Sequence, residues 1–313
     1  NWSGVISTQQ LIVTTRNVGS VTELVATVEI NHVPTVKLPK SALQFNGVNQ
    51  ADIVQVVSPS NMPLANESRT YVAWVKQESG NTGTVISHGA GNCDPHGQVM
   101  YMYISNTLFD LAGGCTGWSD LHSGTGSTAG EWTFIATVYD NKNVTSWINS
   151  SKLGPVTQVD NRGFDVSDDD LWLGAYANRN PNERLNWFTG MMDEVAIFKG
   201  TLSDSEIEAI YNSGSGHNLT LESGAYTNTA IADLSAYYQF NEATGTTLTD
   251  MSGNNNHGVI TGATWVADGL AQTTTEVTTL EDNEVTIEFE FEDLDGHAMT
   301  FEITELPSSG NIQ

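Results

Sequence analysis

Short runs of alternating apolar and polar residues recur between turn signals from about Ala42 to Gly214. They include TYVAWVKQ, VMYMYI, WTFIATVYD, VTSWINSS and LWLGAY. Alternation with a period of two is typical of β-strands with one buried face, and strands at this spacing are typical of a sandwich or jelly roll. We therefore expect an all-β body over this part of the chain.

One helix is predicted within the β pattern, in LSDSEIEAIYNSG. Ser203 and Glu206 form a capping box at its start, and Gly214 can end it. Three apolar residues recur at the spacing of one helical face: Ile207, Ile210 and Tyr211. This stripe should pack on the sandwich.

Alternation returns at both ends of the chain. Near the start, alternate residues are apolar from Leu24 to Ile30, and near the end they are apolar from Val285 to Phe291. The second pattern resumes after the acidic turn EDLDG. Two strands cannot bury an apolar face alone, so each terminal segment needs further strands to complete a sandwich.

The central stretches resemble a known family. ALQFNGVNQADIV, TYVAWVK, GEWTFIATVYDNKNVTSWINSSKLG and FTGMMDEVAIFKGTLSDSEIEAIYNSG are similar, in order and spacing, to the concanavalin A-like jelly rolls called laminin-G-like domains. LSAYYQFNEATGTTLTDMSGNNNHGVITGATWV resembles the strand and loop that such domains often place first and that some secreted relatives carry after the helix. The resemblance implies one jelly-roll domain over residues 41–268.

The flanking segments resemble another class. VTELVATVEINHVPTV is similar to the last strand and exit of cadherin-like or immunoglobulin-like extracellular repeats, and LEDNEVTIEFEFEDLDGHAMTFEITELPSSGNIQ to their opening. This implies that residues 1–40 are the C-terminal strands, and residues 269–313 the N-terminal strands, of one sandwich. The expected fold class is all-β: a concanavalin A-like jelly-roll sandwich plus a split immunoglobulin/cadherin-like β-sandwich.

The charge excludes two classes of partner. The 313 residues include 37 Asp and Glu but 11 Lys and Arg, a formal net charge of −26. A nucleic-acid backbone or an anionic membrane surface would be repelled. No apolar run reaches the roughly 18 residues of a membrane span, and the chain begins with Asn. We expect a mature or excised segment of a secreted, extracellular protein.

A calcium site is implied by the laminin-G resemblance. Calcium binds six to eight oxygen atoms, and the loop TDMSGNNNHG offers several. The resemblance points to these ligands: Asp193, Asn241, Asp250 and Asn256. The alternative is an Asx-rich loop that only caps its own turns. The cadherin resemblance implies a second calcium site at the acidic turn, with Asp293 and Asp295.

Two further kinds of covalent feature are predicted. Cys93 and Cys115 lie roughly symmetrically about the turn in YMYISNTLFDLAGG, which places them opposite each other across a hairpin. A disulfide follows in an oxidising compartment, and two unrelated free thiols are the alternative. Glycosylation sequons occur at several positions: Asn66, Asn143, Asn149 and Asn218.

Catalysis is not expected. Glycan cleavage in this class needs paired carboxylates on one strand, and the family pattern Glu-x-Asp-x-x-Glu is absent from the sequence. Sugar stacking is a separate possibility. Most tryptophans, including Trp147, lie within apolar strand patterns where a core role is the default. Trp118 and Trp187 lie in loops and are the candidate glycan-binding residues.

Two functions remain open. In the first, the protein is an extracellular structural subunit that forms a head-to-tail homopolymer, in which strands at 284–304 are completed by strands at 11–30 of a neighbour. Because each end leaves the jelly roll through its own connector, the halves should project from opposite poles. There are two alternatives. The two ends of one chain pair with each other, or each terminal segment is the remainder of a complete repeat whose other strands were removed. In the second function, the protein is a carbohydrate-binding adhesion module.

Overall fold

A computed structural model describes residues 3–5, 12–13, 26–27, 36–37, 41–47, 52–78, 83–89, 99–104, 109–113, 127–157, 166–177, 184–270, 276–278 and 288–289. The chain divides into two compact units. The terminal unit comprises Asn1–Leu38 and Gln272–Gln313, and the jelly-roll unit is Pro39–Ala271.

Strands dominate both units. The described part of the chain contains these strands, in chain order: β1 (Ser3–Val5), β2 (Ile12–Val13), β3 (Ala26–Thr27), β4 (Val36–Lys37), β5 (Ala42–Phe45), β6 (Ile53–Val56), β7 (Arg69–Gln77), β8 (Gly83–Gly89), β9 (Val99–Ile104), β10 (Phe109–Gly113), β11 (Trp132–Asp140), β12 (Asn143–Ile148), β13 (Ser151–Thr157), β14 (Leu171–Leu173), β15 (Tyr176–Ala177), β16 (Arg184–Leu185), β17 (Gly190–Lys199), β18 (Leu234–Tyr238), β19 (Thr247–Leu248), β20 (Gly258–Thr261), β21 (Thr264–Val266), β22 (Glu276–Thr278) and β23 (Glu288–Phe289). The helices are α1 (Asp204–Tyr211) and α2 (Asn228–Ala232), with a 3₁₀ turn at Asn212–Gly214.

Two antiparallel sheets form the jelly roll. The seven-stranded sheet has the order β10-β9-β8-β14-β6-β20-β19. The eight-stranded sheet has the order β13-β12-β11-β7-β17-β5-β21, and β18 also pairs with β17. The strands after the helix thus complete both sheets, since β20 pairs with β6 and β21 pairs with β5. This is the arrangement that the laminin-G resemblance predicted.

The main core lies between the two sheets, and a second core covers the outer face of the eight-stranded sheet. Strand β7 supplies both, because its side chains alternate between the two faces. Tyr71 and Val75 belong to the first cluster, whereas Val72 and Trp74 belong to the second. This explains why β7 is buried along nearly its whole length.

Helix α1 closes the second core. Its residues Ile207 and Ile210 are buried there, which contributes roughly 1.5–3 kcal/mol for each side chain relative to leaving it exposed. Ser203 caps the helix with the predicted capping box to Glu206. The helix ends earlier than predicted: Asn212, in the left-handed conformation with φ 44°, is the C-cap rather than Gly214. Short polar side chains tolerate this conformation.

The sequence did not predict α2. Its N-cap residue, Thr227, makes no side-chain capping hydrogen bond, and the helix has only five residues, too few to show a periodic apolar pattern. By contrast, the predicted hairpin within YMYISNTLFDLAGG is present, with Ile104 opposite Phe109 and Met100 opposite Gly113. Neither described helix is long and apolar enough to cross a membrane.

The two ends of the jelly roll lie on adjacent strands. Ala42 of β5 is opposite Val266 of β21, and beyond β21 the backbone N–H of Leu270 donates to Asp193 Oδ2 at 2.6 Å. Chain entry and exit therefore share one edge of the sheet. The expectation that the two connectors leave from opposite poles is wrong, because β21 returns to pair with the first strand.

In the terminal unit, strands from both chain ends pair with each other. Ser3 is opposite Thr278 in the β1–β22 pair, and Val36 is opposite Phe289 in the β4–β23 pair. Strands β2 and β3 pair with each other. These pairings lie within a single chain, as the intramolecular alternative expects. The assignment of this unit to the cadherin or immunoglobulin class stays a prediction.

Candidate functional site

A cleft lies between the β12–β13 hairpin and one face of α1, and we call it the hairpin–helix cleft. Its lining residues come from these two elements: Trp147, Asn149, Ser150, Lys152, Asp204, Ile207, Glu208 and Tyr211. The cleft has a volume of about 200 Å³. It lies on the outer face of the eight-stranded sheet.

The hairpin places its residues by register. Ile148 is opposite Ser151 and Trp147 is opposite Lys152, so Asn149 and Ser150 form a two-residue turn. Asn149 has φ 52°, and its Oδ1 accepts a 2.9 Å hydrogen bond from the Phe134 backbone N–H. Its own N–H donates to the Phe134 carbonyl at 2.8 Å. The tip of the hairpin is therefore fixed to β11.

The helix places its residues by periodicity. One face of α1 carries the residues that line the cleft. They are Asp204 and the residues three, four and seven positions after it, which is the spacing of one helical face. Ile207 points into the core and is 1 % exposed. Asp204 and Glu208 are exposed beside it. One helical face thus carries both a buried anchor and two exposed carboxylates.

Aromatic rings form one wall of the cleft. Trp147 is 6 % exposed and belongs to the second core. Tyr211 is half-buried and stacks on Trp74, with ring centroids 5.8 Å apart and an interplanar angle of 15°. It also packs against Phe134 at 5.6 Å. These contacts hold both rings against the second core.

The charged groups of the cleft are partly paired. Lys152 Nζ donates to Asp204 Oδ2 at 2.5 Å and lies 5.6 Å from the centre of the Trp147 ring. An exposed ion pair of this kind adds little stability, but it offsets one negative charge of the cleft. Glu208 adds a second carboxylate. The described lining residues therefore carry a formal excess of negative charge.

Asp193, a predicted calcium ligand, is buried at 2 % exposure. Its Oδ1 accepts from the Glu194 N–H at 2.9 Å and its Oδ2 from the Leu270 N–H at 2.6 Å. Burial raises the pKa of the Asp193 carboxyl well above its usual range, and the nearby Glu242 carboxylate adds to the rise, although the two backbone N–H groups oppose it. Asp193 therefore anchors the chain segment that leaves the jelly roll.

Asp250 and Asn256 are brought together in the TDMSGNNNHG loop. Asp250 Oδ2 accepts from the Asn256 N–H at 2.9 Å and from Ser252 Oγ at 2.8 Å. Its Oδ1 accepts from the N–H groups of Tyr237 and Ser252, each at 2.9 Å. These four donors stabilise the loop directly, as the turn-capping alternative expects.

Asn256 ties the loop to a distant segment. Its Oδ1 accepts from the Ser60 N–H at 2.7 Å, and its Nδ2 donates to the carbonyls of Ser60 and Ser235, each at 2.9 Å. Asn241 is exposed. Within the residues that the structure describes, no three His, Cys, Asp or Glu side chains gather as a metal ion would need. The calcium site stays a prediction.

Several predicted site residues lie outside the described residues: Cys93, Cys115, Trp118, Asp293 and Asp295. The disulfide and the second calcium site are therefore untested. Trp187 is half-buried in the segment between β16 and β17, and it does not line the hairpin–helix cleft.

The sequons occupy different settings. Asn149 lines the cleft. Asn66 is exposed, and its Oδ1 accepts from the Tyr139 hydroxyl at 3.3 Å. Asn143 and Asn218 are half-buried, and Asn218 Oδ1 accepts from the Thr220 N–H at 3.0 Å. Their glycosylation stays a prediction.

The sequence did not predict the hairpin–helix cleft. It assigned Trp147 to the core, which is correct, but the edge of its ring also reaches the cleft. The sequence did contain one indication of the cleft: Asp204 and Glu208 recur on α1 at the helical spacing, next to the apolar stripe. Nothing in the sequence showed that this face meets the hairpin tip, because the two elements are about fifty residues apart.

Comparison with known families gives the identity of the jelly roll. Residues 49–208, about half of the chain, match the laminin-G family model described as the concanavalin A-like lectin/glucanases superfamily. The chain belongs to this family. This laminin-G chain has no match among curated proteins.

Solved structures are similar in fold to this laminin-G chain. A Bacteroides ovatus protein, named as a candidate carbohydrate-binding protein, shares 16 % identity with a TM-score of 0.50, over 73 % of this chain and 60 % of its own. The alignment thus spans about three-fifths of that protein. The Limulus polyphemus SAP-like pentraxin shares 12 % identity with a TM-score of 0.47, over 74 % of this chain and 96 % of its own.

A carbohydrate-binding module is also similar. The CBM40 module of the Ruminococcus gnavus IT-sialidase, solved with α2,3-sialyllactose, shares 20 % identity with a TM-score of 0.41, over 47 % of this chain and 83 % of its own. These likenesses concern the fold.

Proposed function

We propose that the jelly roll is a carbohydrate-binding module and that the hairpin–helix cleft holds the sugar. One observation carries the proposal: the cleft combines aromatic side chains with exposed carboxylates, an amide and a hydroxyl in a space of about 200 Å³. Membership of a lectin/glucanase superfamily favours this function, as does the fold shared with the candidate carbohydrate-binding protein.

The chemistry of the lining suits a sugar. A sugar ring has an apolar face of C–H groups, which can pack on Tyr211 and on the accessible edge of Trp147. Its hydroxyl groups donate hydrogen bonds to carboxylates such as that of Glu208 and accept them from amide and hydroxyl donors. Small-molecule sites commonly combine such an apolar wall with a few polar groups.

The size of the cleft limits the ligand. Its volume of about 200 Å³ lies below the roughly 300–1,000 Å³ of pockets that enclose drug-sized ligands. We therefore expect one terminal sugar ring to enter the cleft, while the remainder of an oligosaccharide extends into solvent. The affinity of a single module should be modest, because little surface is buried.

Calorimetric titration of the full chain with oligosaccharides tests the proposal. Tyr211→Ala removes a ring from the wall, and Glu208→Ala removes an exposed acceptor without touching the core. Each variant should weaken binding at least tenfold, about 1.4 kcal/mol. Circular dichroism should show that both variants remain folded.

Asp168→Asn is the matched control, since Asp168 is an exposed acid that does not line the cleft. This variant should bind like the unmodified protein. If both cleft variants bind sugar as tightly as the unmodified protein, the binding site is not the hairpin–helix cleft. If the unmodified protein binds no oligosaccharide, the proposed carbohydrate-binding function is wrong.

The head-to-tail filament stays a prediction, and the intramolecular pairing of the terminal strands gives it no support. The absence of catalytic activity and the extracellular location also stay predictions.

A further inference from the structure

We propose that the hairpin–helix cleft selects neutral saccharides and rejects saccharides that carry a carboxylate, such as sialic or uronic acids. This inference rests on the proposed carbohydrate-binding function and specifies its ligand class. It follows from the charges that line the cleft and from the way in which its ammonium group is already engaged.

The carboxylates of the cleft lie where a ligand would enter. Asp204 and Glu208 are exposed and on the same face of α1. A carboxylate on the sugar would be a like charge within a few ångströms of them, which is unfavourable. Sugar hydroxyls, by contrast, donate hydrogen bonds to these oxygens.

The single positive charge of Lys152 does not outweigh the two carboxylates of the cleft. Among the described residues that line the cleft Lys152 is the only cation, and its Nζ already donates to Asp204 Oδ2 at 2.5 Å. It also lies over the Trp147 ring, 5.6 Å from the ring centre. An acidic sugar that drew the ammonium group away would leave the Asp204 carboxylate without its partner. A sugar that shared the ammonium group would still face two carboxylates against one cation.

The charge of the whole chain acts in the same direction. With a formal net charge of −26, the protein repels anions on approach. The Debye length is about 8 Å at physiological salt, so the long-range repulsion is screened. The groups inside the cleft, which are closer to the ligand than this length, then decide the selectivity.

Matched pairs of sugars test the inference on the full chain. Lactose is compared with 3′-sialyllactose, and cellobiose with cellobiouronic acid, by calorimetric titration at 150 mM salt. 3′-Sialyllactose is lactose with an added sialic acid residue, whereas cellobiouronic acid differs from cellobiose only by a carboxylate in place of one CH₂OH group, so the second pair isolates the charge. The neutral member should bind at least tenfold more tightly than the acidic member.

Glu208→Gln provides an internal check, because the amide keeps the shape and an acceptor oxygen but removes the charge. This variant should reduce the difference between the two members of each pair, mainly by improving binding of the acidic sugar. A Glu208→Gln variant with an unchanged preference would contradict the electrostatic explanation.

The outcomes distinguish failure of the neutral selectivity from failure of the carbohydrate-binding function. If the acidic sugars bind as tightly as the neutral ones, or more tightly, neutral selectivity is overturned while carbohydrate binding stands. If the protein binds no neutral oligosaccharide, both the selectivity and the proposed function are overturned.

Discussion

His88 is a titratable side chain enclosed in the core between the two sheets. It is 0 % exposed and lies in register with Leu171 and Met100, both members of that core. Neither ring nitrogen has a hydrogen-bond partner in the described structure. Burial, aided by the nearby positive charge of Arg69, lowers the pKa of His88 from 6.5 to about 3.

This shift predicts a loss of stability in acid. Because the pKa of His88 is lower in the folded state than in the unfolded state, the unfolded chain takes up the proton first as the pH falls. The contribution of neutral His88 is complete above about pH 6.5 and declines towards pH 3. Between pH 6.5 and pH 5 the loss should be about 1.6 kcal/mol.

Urea unfolding of the full chain at several pH values measures this effect. His88→Phe replaces the imidazole with a ring that does not titrate, so the free energy of unfolding of the variant should fall less between pH 6.5 and pH 5. The difference between the two proteins isolates His88 from the other groups that titrate. Parallel pH profiles of the two proteins would contradict the lowered pKa of His88.

At this scale the sequence indicated which residues are special but not what they contact. The laminin-G resemblance singled out Asp250 and Asn256 within their Asx-rich loop. The donors that satisfy them include Tyr237 and Ser60, and Ser60 lies 196 residues away from Asn256. Such partners are fixed by the tertiary fold, so the choice between metal ligand and turn cap was beyond the sequence.

Helix α1 has two roles at the level of elements. One of its faces supplies Ile207 and Ile210 to the second core, and the adjoining positions supply Asp204 and Glu208 to the cleft. Any change that unwinds the first turn should therefore affect both stability and the position of Asp204.

Ser203→Ala tests the capping of this helix. Ser203 Oγ accepts from the Glu206 N–H at 3.3 Å, and the Ser203 N–H donates to Glu206 Oε2 at 2.6 Å. Loss of an N-cap side chain costs about 1 kcal/mol. For a unit of this size, a melting experiment should show a decrease of about 2–4 °C.

Ser205→Ala is the control: it makes the same chemical change two positions further along and removes a hydroxyl that lies 3.2 Å from Ser203 Oγ, but it leaves in place the bond from the Glu206 N–H to Ser203 Oγ. Alanine has the higher helix propensity within a helix, so this variant should melt at the same temperature as the unmodified protein or slightly higher. Equal decreases in both variants would indicate that the cap does not stabilise the helix.

The elements were largely predictable where their signals are local. The strand alternation, the capping box and the order of segments around the helix sufficed for the jelly roll and for α1. Asn212 replaced Gly214 as the C-cap because either residue can adopt the left-handed conformation. The cleft was not predictable, because it is produced by the meeting of two elements that each have an ordinary local pattern.

At the level of the whole molecule, the terminal strands determine whether chains associate. Strand β1 pairs with β22 and β4 with β23 inside one chain. An edge that is paired within its own chain is no longer open to a strand from a neighbour. The described pairings therefore favour a monomer over a head-to-tail polymer.

Sedimentation velocity over a wide range of protein concentrations measures this. The full chain should sediment as a single monomeric species at every concentration. A chain that lacks residues 1–30 loses β1 to β3 and should retain a folded jelly roll, which circular dichroism can verify. Concentration-dependent growth of the full chain that disappears in the truncated chain would instead support the filament hypothesis.

The pairing of Ala42 with Val266 also makes the jelly roll suitable for insertion into another protein. Adjacent strands are about 4.7–4.9 Å apart, so the two ends of residues 42–266 emerge beside each other. A segment with neighbouring ends can be grafted into a surface loop of a host protein without forcing the flanks of that loop apart. The same geometry allows evolution to insert or excise the jelly roll within one domain and leave the strands on either side able to pair.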